Sequence, residues 1–414
     1  MTVFEITGEA NYAPQVVRVT ELTTLEGLDN LVGLQWAGFQ ALVSKDTKPG
    51  DLMIVFPPES QLSETFASVN NLFSDATRNN DTEVKGYLAN NRRVRAIRLR
   101  GHASNALAMP LSSLSRFTST LPDESAVFDT VDGNVISQKY VVPVKQSGNP
   151  TGSLPKWRRV DQTYLPEHFS TGQYFRESFK YAPNDYITVT QKIHGSSVRI
   201  ARTIVKRRLS WWERLAKRLG VTVAETELAV VGGSRRVIKD PGDPNQRHWY
   251  GEGNDIWTQA ALDHADKIPA HVIIYGELIG WVGAGQPIQT GYTYQIPEGR
   301  RELYVYRVAV IAPDGGLYDL SWNGVKEFCN DHGFKHVPEL WAGFHKDFNP
   351  DEWIDRRYRD EGFTQALPLS DPKSVDEGIC VRAEGVIPLV TKCKGEKFYN
   401  YETKVLDSGK AEAE

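Results

Sequence analysis

A lysine acts as a nucleophile only when its surroundings favour the neutral amine, and one stretch of this sequence holds a lysine where that could happen. It is Thr190-Gln191-Lys192-Ile193-His194-Gly195-Ser196-Ser197-Val198-Arg199-Ile200. The lysine stands between the alternating Tyr186-Ile187-Thr188-Val189 and Val198-Arg199-Ile200, with a glycine three positions on and two hydroxyl residues after it. The pattern reads strand, tight loop, strand. A lysine at the rim of a sheet, beside a Gly-Ser-Ser loop whose backbone can closely approach a phosphate, has the layout a lysine nucleophile needs. The plain alternative is a hairpin with a solvated lysine, and a K-x-x-G string alone does not separate the two.

Further strings carry complementary groups. His271-Val272-Ile273-Ile274-Tyr275-Gly276-Glu277-Leu278 reads as a buried strand ending in Gly-Glu, and Leu303-Tyr304-Val305-Tyr306-Arg307-Val308-Ala309-Val310 as a strand with aromatics at alternate positions. Glu377-Gly378-Ile379-Cys380-Val381-Arg382 and Leu389-Val390-Thr391-Lys392-Cys393-Lys394 read as two short strands. Lys392 and Lys394 are two apart, so on a strand both point to one face. Singly these signals are weak, since a carboxylate at a strand end is usually a solvated rim group and a K-x-K pair is usually surface.

The elements before this region differ in character. Residues 1 to about 120 hold short apolar runs between turn residues, such as Gln15-Val16-Val17-Arg18-Val19 and, after Lys48-Pro49-Gly50-Asp51, Leu52-Met53-Ile54-Val55-Phe56. That spacing predicts a small antiparallel β module. Residues 56–64 and the Asn/Asp-rich stretch 70–81 are expected to form a long surface loop with at most one short helix. Asn91-Arg92-Arg93-Val94-Arg95-Ala96-Ile97-Arg98-Leu99-Arg100-Gly101 alternates arginine with apolar residues except at Ala96-Ile97, so as a strand it would face its arginines outward with a phase change there. Five arginines so close together suit nucleic-acid backbone contact, and pairing with nearby acids is the alternative.

The Pro/Gly/Ser/Asn-rich run from about Val142 to Pro155 marks a domain boundary. Three segments follow: a module over 1–150, a larger domain over 151–408 and a frayed tail over 409–414. Within the larger domain, Ser210 and Glu213 have capping-box spacing, Trp212, Leu215, Ala216 and Leu219 recur at helical spacing, and Gly220 fits just past the helix end. The Trp/Leu stripe is expected to pack on the body, in preference to a membrane, with Lys and Arg outside.

Composition sets the outer limits. The chain has 414 residues, 40% hydrophobic and 24% charged, enough for two or three cores. No apolar run approaches the roughly 20 residues of a membrane span, and Met1-Thr2-Val3-Phe4-Glu5 has no signal-peptide pattern, so a cytoplasmic protein without a membrane partner is expected. Cys329, Cys380 and Cys393 are odd in number and lack C-x-x-C spacing, and the nine histidines form no H-E-x-x-H, so any metal should be a hard cation on oxygen ligands. The net charge of -4 predicts no general polyanion binding and leaves that task to local basic patches.

Taken in order, K-x-H-G, S-R, G-E, an aromatic strand, E-G and K-x-K resemble the six motifs of the covalent nucleotidyltransferase superfamily. Within it, Lys192 to Gly195, Gly233-Ser234-Arg235 and Lys392-Cys393-Lys394 look most like ATP-dependent RNA ligases. The stretches Gly50 to Pro57, Val94 to Gly101 and Leu165-Pro166-Glu167-His168-Phe169 are similar to the RNA ligases with an OB-fold module before the catalytic domain, the fifth RNA ligase family. The likeness runs from about residue 10 to 405. It implies an α+β protein, with an OB-like β-barrel module followed by a nucleotidyltransferase domain of antiparallel sheets and helices. It also implies sealing of 3'-OH/5'-phosphate nicks or ends in RNA or RNA-containing duplexes, by a monomer.

The resemblance assigns roles residue by residue. Lys192 is the nucleophile that takes AMP from ATP, with Lys392 and Lys394 across the α-phosphate. His194, Gly195, Arg235, Glu277, Tyr306 and Glu377 bind the nucleotide, Tyr306 by stacking on adenine. Beside these roles, the residues themselves suggest that Glu277 and Glu377 hold Mg2+ or Mn2+ and that Arg95, Arg98 and Arg100 contact nucleic acid. Members of the family often carry aspartate where His194 stands; a histidine cannot supply that negative charge, so it is given a phosphate- or end-contacting role. A free lysine is about 3.4 pH units too basic to be neutral at pH 7, roughly 4.6 kcal/mol, so positive charge must gather beside Lys192. Two other readings stand beside this one: another covalent nucleotidyltransferase, such as a DNA ligase or capping-type enzyme, and a non-catalytic OB-containing RNA-binding protein.

Overall fold

Lys192 closes one strand and Ser196 opens another, and in the computed structural model these strands belong to different sheets. The structure describes residues 3–142, 158–242, 255–355, 359, 362, 365–370 and 374–408. The boundary expected near residue 150 and the tail over 409–414 lie outside them. The fold is α+β and divides into two compact units, residues 1–145 with 396–411, and residues 146–395 with the last three residues.

In the second unit, a five-stranded sheet runs in the order Gly172–Gln173, Leu389–Lys394, Gly378–Ala383, Tyr186–Lys192, Glu339–Phe344. An eight-stranded sheet has Ser196–Lys206, Val272–Gly283 and Arg301–Ile311 at its centre, with Thr226–Gly233 paired to the first of them. All these long pairings are antiparallel. The alternation that identified the strands also sorts their faces: Ile187, Val189, Ile379, Val381 and Cys393 share one core cluster, while Lys192, Gly378 and Lys394 lie side by side in register on the other face. Residues 193–195 therefore cross from sheet to sheet and do not turn a hairpin. Gly195 is required at that crossing, because a Cβ there would meet the Leu278 carbonyl and lie 2.7 Å from Ile279 Cγ2.

The first unit is built of short strands in several small sheets, including Gln15–Arg18 with Leu52–Phe56 and Leu107–Pro110, and Thr23–Thr24 with Leu31–Trp36 and Phe39–Ser44. Among the described residues these sheets do not close into one barrel. The stretch expected as a surface loop with at most one short helix is exposed at Ser74, Asp75, Thr77, Asn80 and Asp81 but contributes to the core at residues 56–60, Leu72 and Phe73. Glu64–Val69 is a helix capped by Ser63, and Phe66 and Phe73 are fully buried in the cluster around Phe56.

The terminal helix Glu396–Asp407, which falls in the 151–408 domain expected from sequence, packs in the first unit. Its Thr403 Oγ1 donates to Glu59 Oε1 at 2.9 Å, and its Asp407 pairs with Arg93 at 2.9 Å. Arg93 does not face outward: it is fully buried, forked on Glu59 and backed by the Thr403 carbonyl. Its neighbours in the basic run are paired as well. Arg92 meets Glu64 at 2.6 Å, Arg95 meets Asp407 at 3.5 Å, Arg98 meets Glu396 at 2.6 Å, and Arg100 donates to the Gly27 carbonyl at 2.6 Å.

Candidate active site

The register of the five-stranded sheet sets the site. Lys192 ends its strand beside Gly378, and Gly378 pairs on its other side with Lys394. Gly378 has φ +143 and a Cβ there would run into the Cys393 carbonyl, so no side chain fits. Glu377 enters immediately before it. The Glu377 carboxylate lies 2.8 Å from Lys192 Nζ, 3.3 Å from Lys394 Nζ and 3.6 Å from His194 Nδ1. Burial would raise the Glu377 carboxyl, but Lys192, Lys394 and His194 outweigh it and hold it well below the usual carboxylate range.

The same pair acts in reverse on the lysine. Burial alone would lower Lys192, whereas the Glu377 carboxylate raises it, and the net shift is upward. Lys192 is thus held as an ammonium against Glu377. For Lys392 the balance is reversed: burial, then Lys394, Lys192 and Arg235, outweigh the opposing Glu377 charge and bring it down to about 8.

Glu277 comes from the other sheet, in register with Ser197. It accepts a hydrogen bond from the Gly195 amide at 3.1 Å, and burial, opposed by Lys192 and reinforced by Glu377, pushes its carboxyl up to about 7. The crossing loop is pinned on both sides. The His194 amide donates to the Tyr294 hydroxyl at 2.8 Å, Gln289 Nε2 donates to the Gly195 carbonyl at 2.9 Å, and the His194 ring meets Tyr292 edge-on with centroids 4.7 Å apart. Behind Lys192, Gln191 turns into the core, where it donates to Asp376 and accepts from the Leu367 amide. Asp376 is itself forked on Arg359.

Lys192, His194, Gly195, Glu277, Glu377, Lys392 and Lys394 are therefore brought together. Tyr306 sits at the margin: its hydroxyl lies 3.0 Å from Ser197 Oγ, and burial followed by the Glu277 charge raises it. Arg235 follows the Thr226–Gly233 strand, and its charge is felt at Lys392, Tyr306 and His168. Arg95, Arg98 and Arg100 belong to the first unit.

Sequence reasoning passed over three groups beside this cluster. The His168 ring meets Tyr306 edge-on and Tyr275 at a tilt, and burial together with Arg307, Arg235, Arg382 and Lys192 keeps it neutral. Arg199 is buried on the strand that carries Ser197; it donates to the Leu165 carbonyl, while its Nε and Nη2 have no acceptor among the described residues. Tyr294 has an ordinary loop setting in sequence, and only the fold brings its hydroxyl to the His194 amide. The string Leu165 to Phe169 carries a signal for His168, but its packing against Tyr275 and Tyr306 is not readable from sequence.

Glu377 and Glu277 approach Lys192 from different sheets, and the described residues include no cluster of three or more His, Cys, Asp or Glu that could hold a metal. This donor set fits a hard divalent cation that keeps waters or phosphate oxygens in its remaining positions.

Residues 185–396, more than half of the chain, match the RNA ligase family. The chain belongs to the RNA ligase family. No curated protein sequence matches it. Among solved structures, a Naegleria gruberi RNA ligase variant with ATP and Mn is 14% identical with a TM-score of 0.58, over 95% of this chain and 98% of that one. A second variant of the same ligase with ATP and Mn is 15% identical with a TM-score of 0.60, over 94% and 99%. An apo variant is 15% identical with a TM-score of 0.60, over 98% and 100%. At such identities the likeness shows a shared fold.

Proposed function

We propose that this RNA ligase is ATP-dependent and works through a covalent lysyl-AMP on Lys192, sealing 3'-OH/5'-phosphate nicks or ends. The observation that carries the reading is the Glu377 carboxylate shared by Lys192 and Lys394, with Glu277 and Lys392 close enough that each exchanges charge influence with Lys192. Neutral Lys192 attacks the α-phosphorus of ATP; the N–P bond forms as the bond to the bridging oxygen breaks, and pyrophosphate leaves with the electron pair. A 5'-phosphate oxygen of RNA then attacks the same phosphorus and frees Lys192. The 3'-hydroxyl finally attacks the activated 5'-phosphorus, and AMP departs.

Lys394 and Lys392 offset the charge that grows on the α-phosphate oxygens as the phosphorus becomes five-coordinate. Glu277 and Glu377 would hold Mg2+ or Mn2+, which supplies positive charge that favours the neutral amine. Tyr306, fixed by Ser197, is the face assigned to adenine, and His194 and Arg235 are assigned to phosphate or strand-end contact. A guanidinium fork suits the second task.

The order of the two segments favours the family with an OB module first. The first unit, with its small antiparallel sheets and its arginine run, is read as that nucleic-acid module, acting on a nicked RNA or RNA-DNA duplex. A DNA ligase or capping-type enzyme, or an RNA-binding protein without activity, remains as the rival reading. Incubation with labelled ATP or GTP and a divalent cation, followed by denaturing electrophoresis, separates them. Label from ATP alone excludes a GTP-using capping enzyme and an inactive RNA-binding protein, and joining of a nicked RNA strand in preference to a nicked DNA strand then excludes a DNA ligase; label from GTP, no label, or preference for DNA sides with a rival.

A further inference from the structure

The helix Trp211–Arg218 forms as the sequence predicts, with the complete capping box between Ser210 and Glu213. Its packing differs from expectation, because none of its residues is buried. Trp211 is 58% exposed, Trp212 63%, Leu215 42% and Leu219 75%, and Val221 beyond the cap is also exposed. The helix sits in the connection between the paired strand ends Lys206 and Thr226. It is no loose excursion. Arg207 holds that connection together, taking the Glu225 carbonyl with its amide, the Ala224 carbonyl with its guanidinium and Glu213 at 2.7 Å, and Lys217 pairs with Glu225.

At about 100° per residue, Trp211, Leu215, Leu219 and Trp212 fall in a single arc roughly 100° wide, bordered on one side by Arg218 and Arg214. Six cations, Lys206, Arg207, Arg208, Arg214, Lys217 and Arg218, lie in a short segment whose acids are Glu213 and, further on, Glu225, in a chain of net charge -4. We propose that this helix is a peripheral docking face for an anionic phospholipid surface, lying in the plane of the bilayer interface with its indoles and leucines among the headgroups.

Apolar and cationic groups side by side on one helix match such an interface, where tryptophan is favoured and each nearby cation strengthens binding roughly fivefold. RNA fits less well. A phosphate backbone would engage the arginines but leave the leucines in water, and the two indoles already stack on each other, with centroids 3.3 Å apart and planes at 28°, so each has one face taken. The helix is short, so attachment should be weak, reversible and dependent on the lipid charge. The face is separate from the residues assigned to catalysis, so the inference does not depend on the ligase mechanism.

The test is flotation of the full-length protein with vesicles of phosphatidylcholine alone and of phosphatidylcholine mixed with phosphatidylglycerol, at low and high salt. The expected result is binding to the anionic vesicles only, weakened by salt, reduced about tenfold or more by Trp211→Ser with Trp212→Ser, and reduced again by Arg214→Glu with Arg218→Glu. Joining of nicked RNA in solution should be unchanged in both double variants. Failure of the wild-type protein to float with anionic vesicles, or equal flotation of the tryptophan variant, overturns the proposal. So does an effect of the variants on self-association or RNA affinity without one on vesicle binding, which would assign the face to a second copy or to RNA.

Discussion

Lys192 Nζ and Glu377 Oε1 are 2.8 Å apart, and this pair keeps the Lys192 amine protonated until something competes for the carboxylate. Glu377→Gln removes the largest influence that raises Lys192, leaving burial and Lys394 to lower it. Without ATP, Lys192 in the variant should therefore react faster with an amine-directed reagent near neutral pH, read by peptide mapping. AMP transfer should nonetheless slow by orders of magnitude, because a lost contact at a developing phosphorane is worth several kcal/mol. Lys394→Ala should slow it comparably. Adenylylation within a few-fold of wild type would remove the role given to the altered residue.

Lys392 gives a pH prediction with a defined sign. Its ammonium is lowered to about 8, so the free protein carries that charge below pH 8 and loses it above. If Lys392 contacts the α-phosphate, kcat/KM for ATP should fall on the alkaline side with an apparent pKa near 8, since that ratio reports the free enzyme. Lys392→Arg keeps the charge and should carry the alkaline limb to higher pH. An unchanged limb in that variant would mean that another group titrates there.

The arginine run separates into structure and substrate grip. Arg93 is buried on Glu59 and Asp407, so Arg93→Ala strands a buried carboxylate and should destabilise the first unit by roughly 3–5 kcal/mol, measured by denaturant unfolding. A loss below about 1 kcal/mol, the range of a surface pair, would show that Glu59 finds other partners. Arg95, Arg98 and Arg100 are expected to act differently. Changing all three to alanine should spare the AMP adduct, weaken binding to a nicked duplex and flatten its salt dependence by roughly 0.9 in slope per lost phosphate contact. Normal sealing at moderate salt would leave these side chains as partners of Asp407, Glu396 and Gly27 only.

The chemistry-bearing strands were legible because each pairs strong period-two alternation with a charged residue at its end, as at Tyr186 to Lys192 and Leu389 to Lys394. Period alone names no partner. It could not reveal that Lys192 and Ser196 lie in different sheets, or that Gly378 stands between Lys192 and Lys394. The capping box at Ser210 is a local signal and was readable; what the Trp/Leu arc faces is a tertiary matter and was not. Arg93 looked like its neighbours because Glu59, 34 residues away, and Asp407, 314 away, become its partners only in the folded chain. The same distance in sequence hid the return of the terminal helix to the first unit.

The central claim is tested most directly by the intact mass of the purified protein after incubation with ATP and Mg2+ or Mn2+, followed by peptide mapping. The account predicts a gain of one AMP, carried by Lys192, stable to base and labile to acid as a phosphoramidate should be, and absent in Lys192→Ala. No gain in mass, or an adduct on another lysine, would contradict it.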